Sequence, residues 1–365
     1  MRQGEGRVKV SLCTIAYNEE KALPALLEDI KQQDYPHGEI EVVLVNSMSE
    51  DGTQACMEAF KEQEKSFMDV LILLNHGRNQ ASGWNTAIKA ASGEVIIRVD
   101  AHASIPADFV RKNVELLESG EMVCGGPRPA MAESADPWKE TLLLAENSMF
   151  GSSIAPYRNT GKNEKKYVKS LFHGAYRREV FEDVGGFNEY LGRTEDNEMH
   201  YRIRKAGYQI CYSPEIHSSQ HTRSSLRRMV KQKYGNGYWI GLTTGVCPEC
   251  LSLYHFVPFG FVCGILITTA LALKKRTGLA KLMWGAYGVL CTVMSLFAVK
   301  NVKKHISQLL LPLLFPILHI SYGVGTLVGL LRMPGWRKKH KTCPSVLEVK
   351  RVLLQKKAMD QETED

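Results

Sequence analysis

Asp100 and His102 close the run Val95-Ile96-Ile97-Arg98-Val99-Asp100-Ala101-His102. An apolar stretch that ends in a carboxylate, a small residue and an imidazole is how a buried strand presents metal or phosphate chemistry at its C-terminal edge. A second acidic group, Thr194-Glu195-Asp196-Asn197-Glu198, stands directly before a helical run marked by Met199, Ile203 and Ala206. Thr followed by acids in that place is an N-terminal capping signature, each acid stabilising a helix start by a few tenths to about 1 kcal/mol. A helix start facing a cleft would also hold a carboxylate ionised, which suits a base.

The elements that must position these groups alternate. Val8 to Ala16 reads as a strand, followed by the polar loop Tyr17-Asn18-Glu19-Glu20 and a helix carrying Leu23, Leu26, Leu27 and Ile30. Ile40 to Val45 is a second strand, ending in Asn46-Ser47-Met48-Ser49-Glu50-Asp51-Gly52-Thr53 before a helix with Cys56, Ala59 and Phe60. Val70 to Leu74 is a third, leading through Asn75-His76-Gly77-Arg78-Asn79 to a helix over Ala81 to Ala91. Glu94 to Val99 is the fourth, and it delivers Asp100. This βαβαβαβ order predicts a mainly parallel sheet with helices on both faces, whose ligands bind outside the carboxyl ends of the strands. Each strand end carries turn-forming polar residues, which ordinary turn chemistry would also select. Neither a G-x-G-x-x-G nor a G-x-x-x-x-G-K-[ST] motif occurs, so a dinucleotide fold or a P-loop NTPase is unsupported.

Beyond Asp100 the pattern predicts a helix over Ile105 to Ser119 and a strand over Met122 to Pro127. A mobile loop over Gly151 to Lys166 and a strand over Val168 to Phe172, with His173-Gly174-Ala175 at its end, come next. A short helix over Glu179 to Val184, the tight turn Gly185-Gly186-Phe187 and a strand over Ile210 to Tyr212 complete the region.

The 365 residues exceed one minimal domain. Mean hydropathy is −0.20, but long apolar runs are confined to the part after about residue 250: Leu253 to Leu273, Leu282 to Val299 and Leu309 to Leu331. Each is about long enough to cross a ~30 Å hydrocarbon core. Lys274, Lys275, Arg276, Lys300, Lys303, Lys304, Arg332, Arg337, Lys338 and Lys339 flank them. The net charge of +7 therefore suits anionic lipid headgroups, and a nucleic-acid partner is not expected. Three spans cannot put every basic loop on one side. The third run carries Pro312, Pro316, His319, Gly323 and Gly325, which fit a kink, a re-entrant turn or close helix packing. The tail from Ser345 reads as a short amphipathic surface helix. Met1 to Val8 has no apolar stretch of the secretory kind, so the nine cysteines read as free thiols in a reducing compartment. For Cys247 and Cys250 unpaired juxtamembrane thiols are expected, because a zinc site would need two more ligands at matched spacing.

As an ordered set, several pieces resemble the inverting family 2 glycosyltransferases with the GT-A (nucleotide-diphospho-sugar transferase) fold. They are Thr14-Ile15-Ala16-Tyr17-Asn18-Glu19-Glu20, Ser49-Glu50-Asp51-Gly52-Thr53, Asn85, Asp100-Ala101-His102, His173 to Phe181, Val184 to Glu189 and Thr194-Glu195-Asp196. The resemblance covers roughly residues 8 to 240. Asp-Ala-His with three C-terminal apolar segments is similar in particular to the succinoglycan-type exopolysaccharide glucosyltransferases. It implies a GT-A catalytic domain over 1–225, a basic juxtamembrane connector over 226–250, a membrane region of two to three helices over 251–331 and a basic, then acidic tail over 332–365. It also implies a nucleotide-sugar donor, a lipid-linked saccharide or glycan acceptor, membrane lipids as surroundings, and a cell-membrane location with the catalytic domain cytoplasmic.

The resemblance further implies residue roles. Asp196 is the general base that takes the acceptor proton, and Glu195, His173 and Gly174 orient the acceptor. Ala16, Tyr17, Glu19, Asn46, Ser47, Asp51, Arg78, Asn85 and Asp100 bind the nucleotide sugar. Asp100 and His102 hold a divalent metal, Mn²⁺ or Mg²⁺. The family often has two aspartates where this chain has Asn46 and Ser47, and it usually has aspartate at the position of His102. An imidazole there favours Mn²⁺, as a softer ligand than carboxylate. Processive members carry Gln-x-x-Arg-Trp where this chain reads Lys231-Gln232-Lys233-Tyr234-Gly235, which implies one sugar per acceptor. Two alternatives stay open: a polyprenyl-phosphate sugar synthase, and a catalytically silent partner in a polysaccharide assembly complex.

Overall fold

A computed structural model of the chain describes residues 7–132, 136–151, 164–222, 225–340 and 342–364. Most of the loop expected over Gly151 to Lys166 lies outside the described residues. The chain divides into two compact units: residues 1–129, 159–221 and 342–365 form one, and 130–158 with 222–341 the other.

The first unit is built on one eight-stranded sheet. Its strands are β1 (Val10–Ala16), β2 (Ile40–Asn46), β3 (Asp69–Leu74), β4 (Val95–Asp100), β6 (Val123–Gly125), β8 (Lys166–Tyr167), β9 (Gly174–Arg177) and β10 (Cys211–Tyr212). They lie in the order β3-β2-β1-β4-β9-β6-β10-β8. β3, β2, β1 and β4 are mutually parallel, whereas β9 runs antiparallel to both β4 and β6. Every residue of β2 and of β4 is buried. Strands covered on both faces read as mainly apolar runs, and these do apart from Glu41, Asn46, Arg98 and Asp100.

Helices α1 (Leu23–Lys31), α2 (Thr53–Gln63) and α3 (Gln80–Ala90) follow the first three strands, and α4 (Phe109–Glu118) follows β4 and the short β5 (Ala103–Ser104). Asn79 caps α3 by accepting from the Ser82 amide at 2.8 Å. The segment Val168 to Phe172 is not a strand; pairing starts at Gly174, and His173 stands at the entrance of β9 rather than at a strand end. The five residues hold one β-branched side chain, Val168, and are interrupted by Lys169 and Ser170, so they add no ladder of their own.

α6 (Arg178–Val184) and α7 (Glu195–Lys205) follow. Between them Gly185 adopts a φ of +81°, where a side chain is strained. A Cβ on Gly186 would come within 2.4 Å of Asn85 Oδ1 and 2.5 Å of Val349. Val349 belongs to α12 (Pro344–Glu364). The tail therefore does not lie free on the surface: Val349 and Leu353 are fully buried, Lys89 meets Glu348 at 2.9 Å and Lys357 meets Glu182 at 2.8 Å. The tail's apolar positions seal α3 and α6.

The second unit contains β7 (Ala130–Ala132), α5 (Pro137–Asn147), α8 (Leu226–Thr243), α9 (Val257–Leu273), α10 (Gly278–Ala298) and α11 (Leu311–Lys339). Among the described residues, three stretches are long and apolar enough to cross a membrane: Leu253–Leu273, Gly278–Ala298 and Ile306–Lys339, with mean hydropathies of 2.2, 1.4 and 1.7. Only 11% of each of the first two is buried, against 39% of the third, so α11 is the core of this unit. Its partner is α8. Cβ atoms on Gly237, Gly325 and Gly329 would fall within 2.2 Å of backbone atoms of the facing helix. Glycines spaced by four let two backbones touch in this way. Of the roles open to the third apolar run, close helix packing is one that it adopts.

Candidate active site

β4 carries Arg98 and Asp100 on one face, because strand residues two apart point the same way. At the strand end Asp100 is 6% exposed. His173 Nε2 lies 3.7 Å from Asp100 Oδ2, and His173 Nδ1 is 3.0 Å from Ser218 Oγ. Burial alone would push the Asp100 carboxyl up, but the surrounding imidazoles and Arg128 outweigh it and hold the group well below the usual carboxylate range. Burial lowers His173, so its imidazole is neutral at pH 7. His173 thus belongs to the Asp100 end of the cleft, and Gly174 opens β9 beside it.

His102 points its Nδ1 at Glu19 Oε1, 3.1 Å away. Burial lowers its pKa, and Glu19 and Asp100 more than compensate, so the net shift is upward. Gln220, on β11 (Ser219–Thr222), brings its side-chain nitrogen to 2.6 Å from His102 Nε2 and 3.3 Å from Asp100 Oδ2. β11 pairs antiparallel with β5, which sets that approach. Nothing in the local sequence marks Gln220; only the pairing across 118 residues shows it.

The other acidic group sits at the start of α7. Thr194 takes the N-cap position, yet its side chain makes no cap hydrogen bond. Asp196 instead meets Arg98: Nη1 donates to Oδ1 at 2.9 Å, with the Arg98 side chain 2% and the Asp196 side chain 17% exposed. Arg98 lies between the rings of Trp84 and Phe187, at 4.4 and 4.5 Å from their centroids. Glu195 is 3% exposed, and its Oε2 has no hydrogen-bond partner among the described residues. Burial and then the Asp196 charge push its pKa up to about 8. Two neighbouring acids therefore differ in surroundings: one is buried and protonated at neutral pH, the other is paired with a cation and reaches solvent.

The loop residues divide. Tyr17 is half exposed and Arg78 exposed, and both Asn18 and Arg78 have positive φ values near +55°. Asp51 is occupied in shaping its loop, accepting from the backbone of Thr53 at 3.0 Å and of Glu20 at 3.2 Å. Asn46 accepts from the Ser49 amide and donates to Gln54, while Ser47 Oγ accepts from Asn75 at 3.0 Å. Ala16 is buried beneath them. Asn85 is 1% exposed, and both ends of its amide hold the Phe187–Glu189 turn. The structure brings Glu19, Asp100, His102 and His173 together at one strand end and Glu195 and Asp196 at one helix start. It turns Asn46 onto its own loop and Asn85 onto the Phe187–Glu189 turn.

The family model described as Glycosyl transferase family 2 matches residues 11–185 of this chain. A dolichyl N-acetyl-α-D-glucosaminyl phosphate 3-β-D-2,3-diacetamido-2,3-dideoxy-β-D-glucuronosyltransferase from Methanococcus voltae is 26% identical, over 69% of this chain and 78% of that one. The succinoglycan biosynthesis protein ExoA of Rhizobium meliloti is 27% identical over 60% and 65%. An undecaprenyl-phosphate 4-deoxy-4-formamido-L-arabinose transferase of Serratia proteamaculans is 32% identical over 54% and 61%. The matched region thus spans a little under two thirds of the latter two proteins. A mannosyltransferase from Pyrobaculum calidifontis, solved with GDP-Man and Mn²⁺, superimposes with a TM-score of 0.60 at 19% identity, covering 88% of each chain. The fold is GT-A, the protein is a glycosyltransferase, and three of its helices are long and apolar enough to span a membrane.

Proposed function

We propose that the protein is an inverting glycosyltransferase that moves one sugar from a nucleotide-diphospho-sugar, with UDP-sugars first in line, to a hydroxyl of a lipid-linked or polysaccharide acceptor in cell-envelope glycan synthesis. The observation that carries this reading is the split along β4. Asp100 and His102 face one point at the strand end, while Arg98 on the same face holds Asp196 at the solvent edge. The acceptor oxygen attacks the anomeric carbon from the face opposite the diphosphate, and Asp196 receives its proton as the new C–O bond forms and the C–O bond to the diphosphate breaks. One displacement inverts configuration. An alcohol needs a positioned base only as the bond forms, so a carboxylate suffices. Glu195, protonated at neutral pH, has a hydrogen to donate to the acceptor or sugar.

Asp100 Oδ2 and His102 Nε2 converge on the Gln220 amide nitrogen, which stands where a small cation would fit. Among the described residues no group of three His, Cys, Asp or Glu gathers there, so Asp100 and His102 would hold the ion and the donor's phosphates would complete its shell. When bound, such an ion offsets charge on the leaving diphosphate. His102 must then leave Nε2 free of a proton, while its Nδ1–H keeps its hold on Glu19. Mn²⁺ is the expected preference over Mg²⁺.

For a lipid-linked acceptor, the second unit offers an apolar cavity of about 360 Å³ lined by Phe150, Val257, Phe261, Tyr287, Leu318 and Tyr322. The basic flanks favour a cytoplasmic catalytic unit. The Serratia relative favours one further reading, in which a polyprenyl phosphate is itself the acceptor. A phosphate oxygen needs no base. The test offers purified full-length protein a panel of sugar nucleotides with Mn²⁺ and membrane lipid extract, with product identified by mass. Asp196→Asn is expected to lose roughly 10²–10⁴-fold in kcat while still binding the sugar nucleotide. A kcat near wild type removes the base and leaves the phosphate-acceptor reading.

A further inference from the structure

A charged residue inside a buried apolar strand demands a reason, because charges are left in interiors only when paired. Arg98 has three features that ordinary packing does not need. Its guanidinium lies between two aromatic faces, its Nη1 reaches the one acid of the Glu195–Asp196 pair that touches solvent, and its Nε has no hydrogen-bond partner among the described residues. A cation kept only for stability would satisfy all its donors.

We infer that Arg98 is the positioning residue for Asp196, fixing that carboxylate by a single Nη1–Oδ1 contact while Trp84 and Phe187 fix Arg98. This rests on the reading of Asp196 as the base. The guanidinium is restrained by the Trp84 and Phe187 rings, 4.4 and 4.5 Å away, so the contact to Oδ1 sets where the Asp196 carboxylate stands. The same nitrogen also donates to Tyr176 Oη at 3.5 Å. The Tyr176 hydroxyl therefore donates onward to His200 Nε2 at 2.9 Å, and His200 Nδ1 donates to Ser170 Oγ at 2.9 Å. Burial keeps His200 neutral, with a pKa of about 4, so this chain of donors has one direction. The hydroxyl and imidazole behind Arg98 are thereby supplied with donors. Arg98 and Asp100 share β4, so one rigid strand spaces the base from the group that faces the leaving diphosphate. Binding sites built on strands hold geometry more tightly than those built on loops.

Asp196 and Arg98 are tested together in the full-length protein. Arg98→Met keeps an apolar stem between the rings and is expected to lower kcat roughly 10²-fold while the donor KM stays within about twofold. Arg98→Lys, which keeps the charge but not the plane, should recover about 10-fold of that loss. In an Asp196→Asn background, Arg98→Met should cost nothing further, because residues acting as a unit are non-additive. An equal fold-loss in both backgrounds would show a structural role and overturn the inference. So would a fall in melting temperature with kcat unchanged per folded molecule in both Arg98 variants. Near-wild-type turnover of Asp196→Asn alone removes the base reading and this inference with it, while equal losses in the two backgrounds leave the base reading standing.

Discussion

A buried ion pair in each unit invites comparison, because the two differ in how they end. In the catalytic unit the Arg98 side chain is 2% exposed and its partner Asp196 17%. In the membrane unit Lys233 and Glu146 stand 3.2 Å apart at 3% and 10%. The first pair leaves its acid open to a substrate and its cation pressed between rings. The second closes both members within helices α5 and α8, near the cavity that Lys233 helps line. Burying two charges costs several kcal/mol per ion unless geometry and hydrogen bonds compensate. An open acid recovers part of that cost from water, so it can change partners; a closed one cannot. The comparison separates a pair whose acid reaches solvent from a pair closed within packed helices.

Three results would break or sharpen it. The largest effect is expected from Lys233→Met, which removes the cation beside buried Glu146 and should destabilise the second unit by about 3–5 kcal/mol in a thermal melt in detergent. The double variant Lys233→Met with Glu146→Leu should return close to wild-type stability; a double variant as poor as the single one would give the pair more than a structural part. Next comes Glu195. Its folded pKa of about 8 stands above the ordinary 4.5, so between those values the unfolded chain releases a proton that the folded chain keeps. Stability from this group is fully present below pH 4.5 and is lost as pH rises towards 8, at roughly 1.4 kcal/mol per unit for an isolated group. Glu195→Gln should flatten that slope, and melting curves from pH 5 to 8.5 would show it. The smallest effect is expected at the helix behind the Gly185-Gly186-Phe187 turn. Val349→Ala should cost about 2 kcal/mol, with only a minor loss of kcat, since Phe187 keeps its other supports. A kcat loss as large as that of Arg98→Met would place α12 among the parts that position Asp196.

The first four strands, their order and the polar loops at their carboxyl ends were legible because apolar period and turn chemistry are local signals. Asp100 and His102 stood out for the same reason. Arg98 carried a readable warning, a cation within Val95-Ile96-Ile97-Arg98-Val99, though its partner lay 98 residues away. The segment Val168 to Phe172 read as a strand from composition, and pairing decided otherwise. Asn85 looked like a donor contact, and its amide is closed on Phe187 and Glu189. α8 read as a basic connector because its Lys and Arg dominate its composition, whereas its glycines are what seat it on α11.

By itself the sequence determined the alternation of strands and helices, the three apolar stretches and the candidate acids, since each follows from the types and spacing of nearby residues. Only the tertiary structure decided which of two adjacent acids receives a cation, which imidazole faces Asp100, and where the C-terminal helix docks. Those outcomes depend on pairing and burial between residues about 70 to 260 positions apart, where short-range pattern carries no information and desolvation sets the charge.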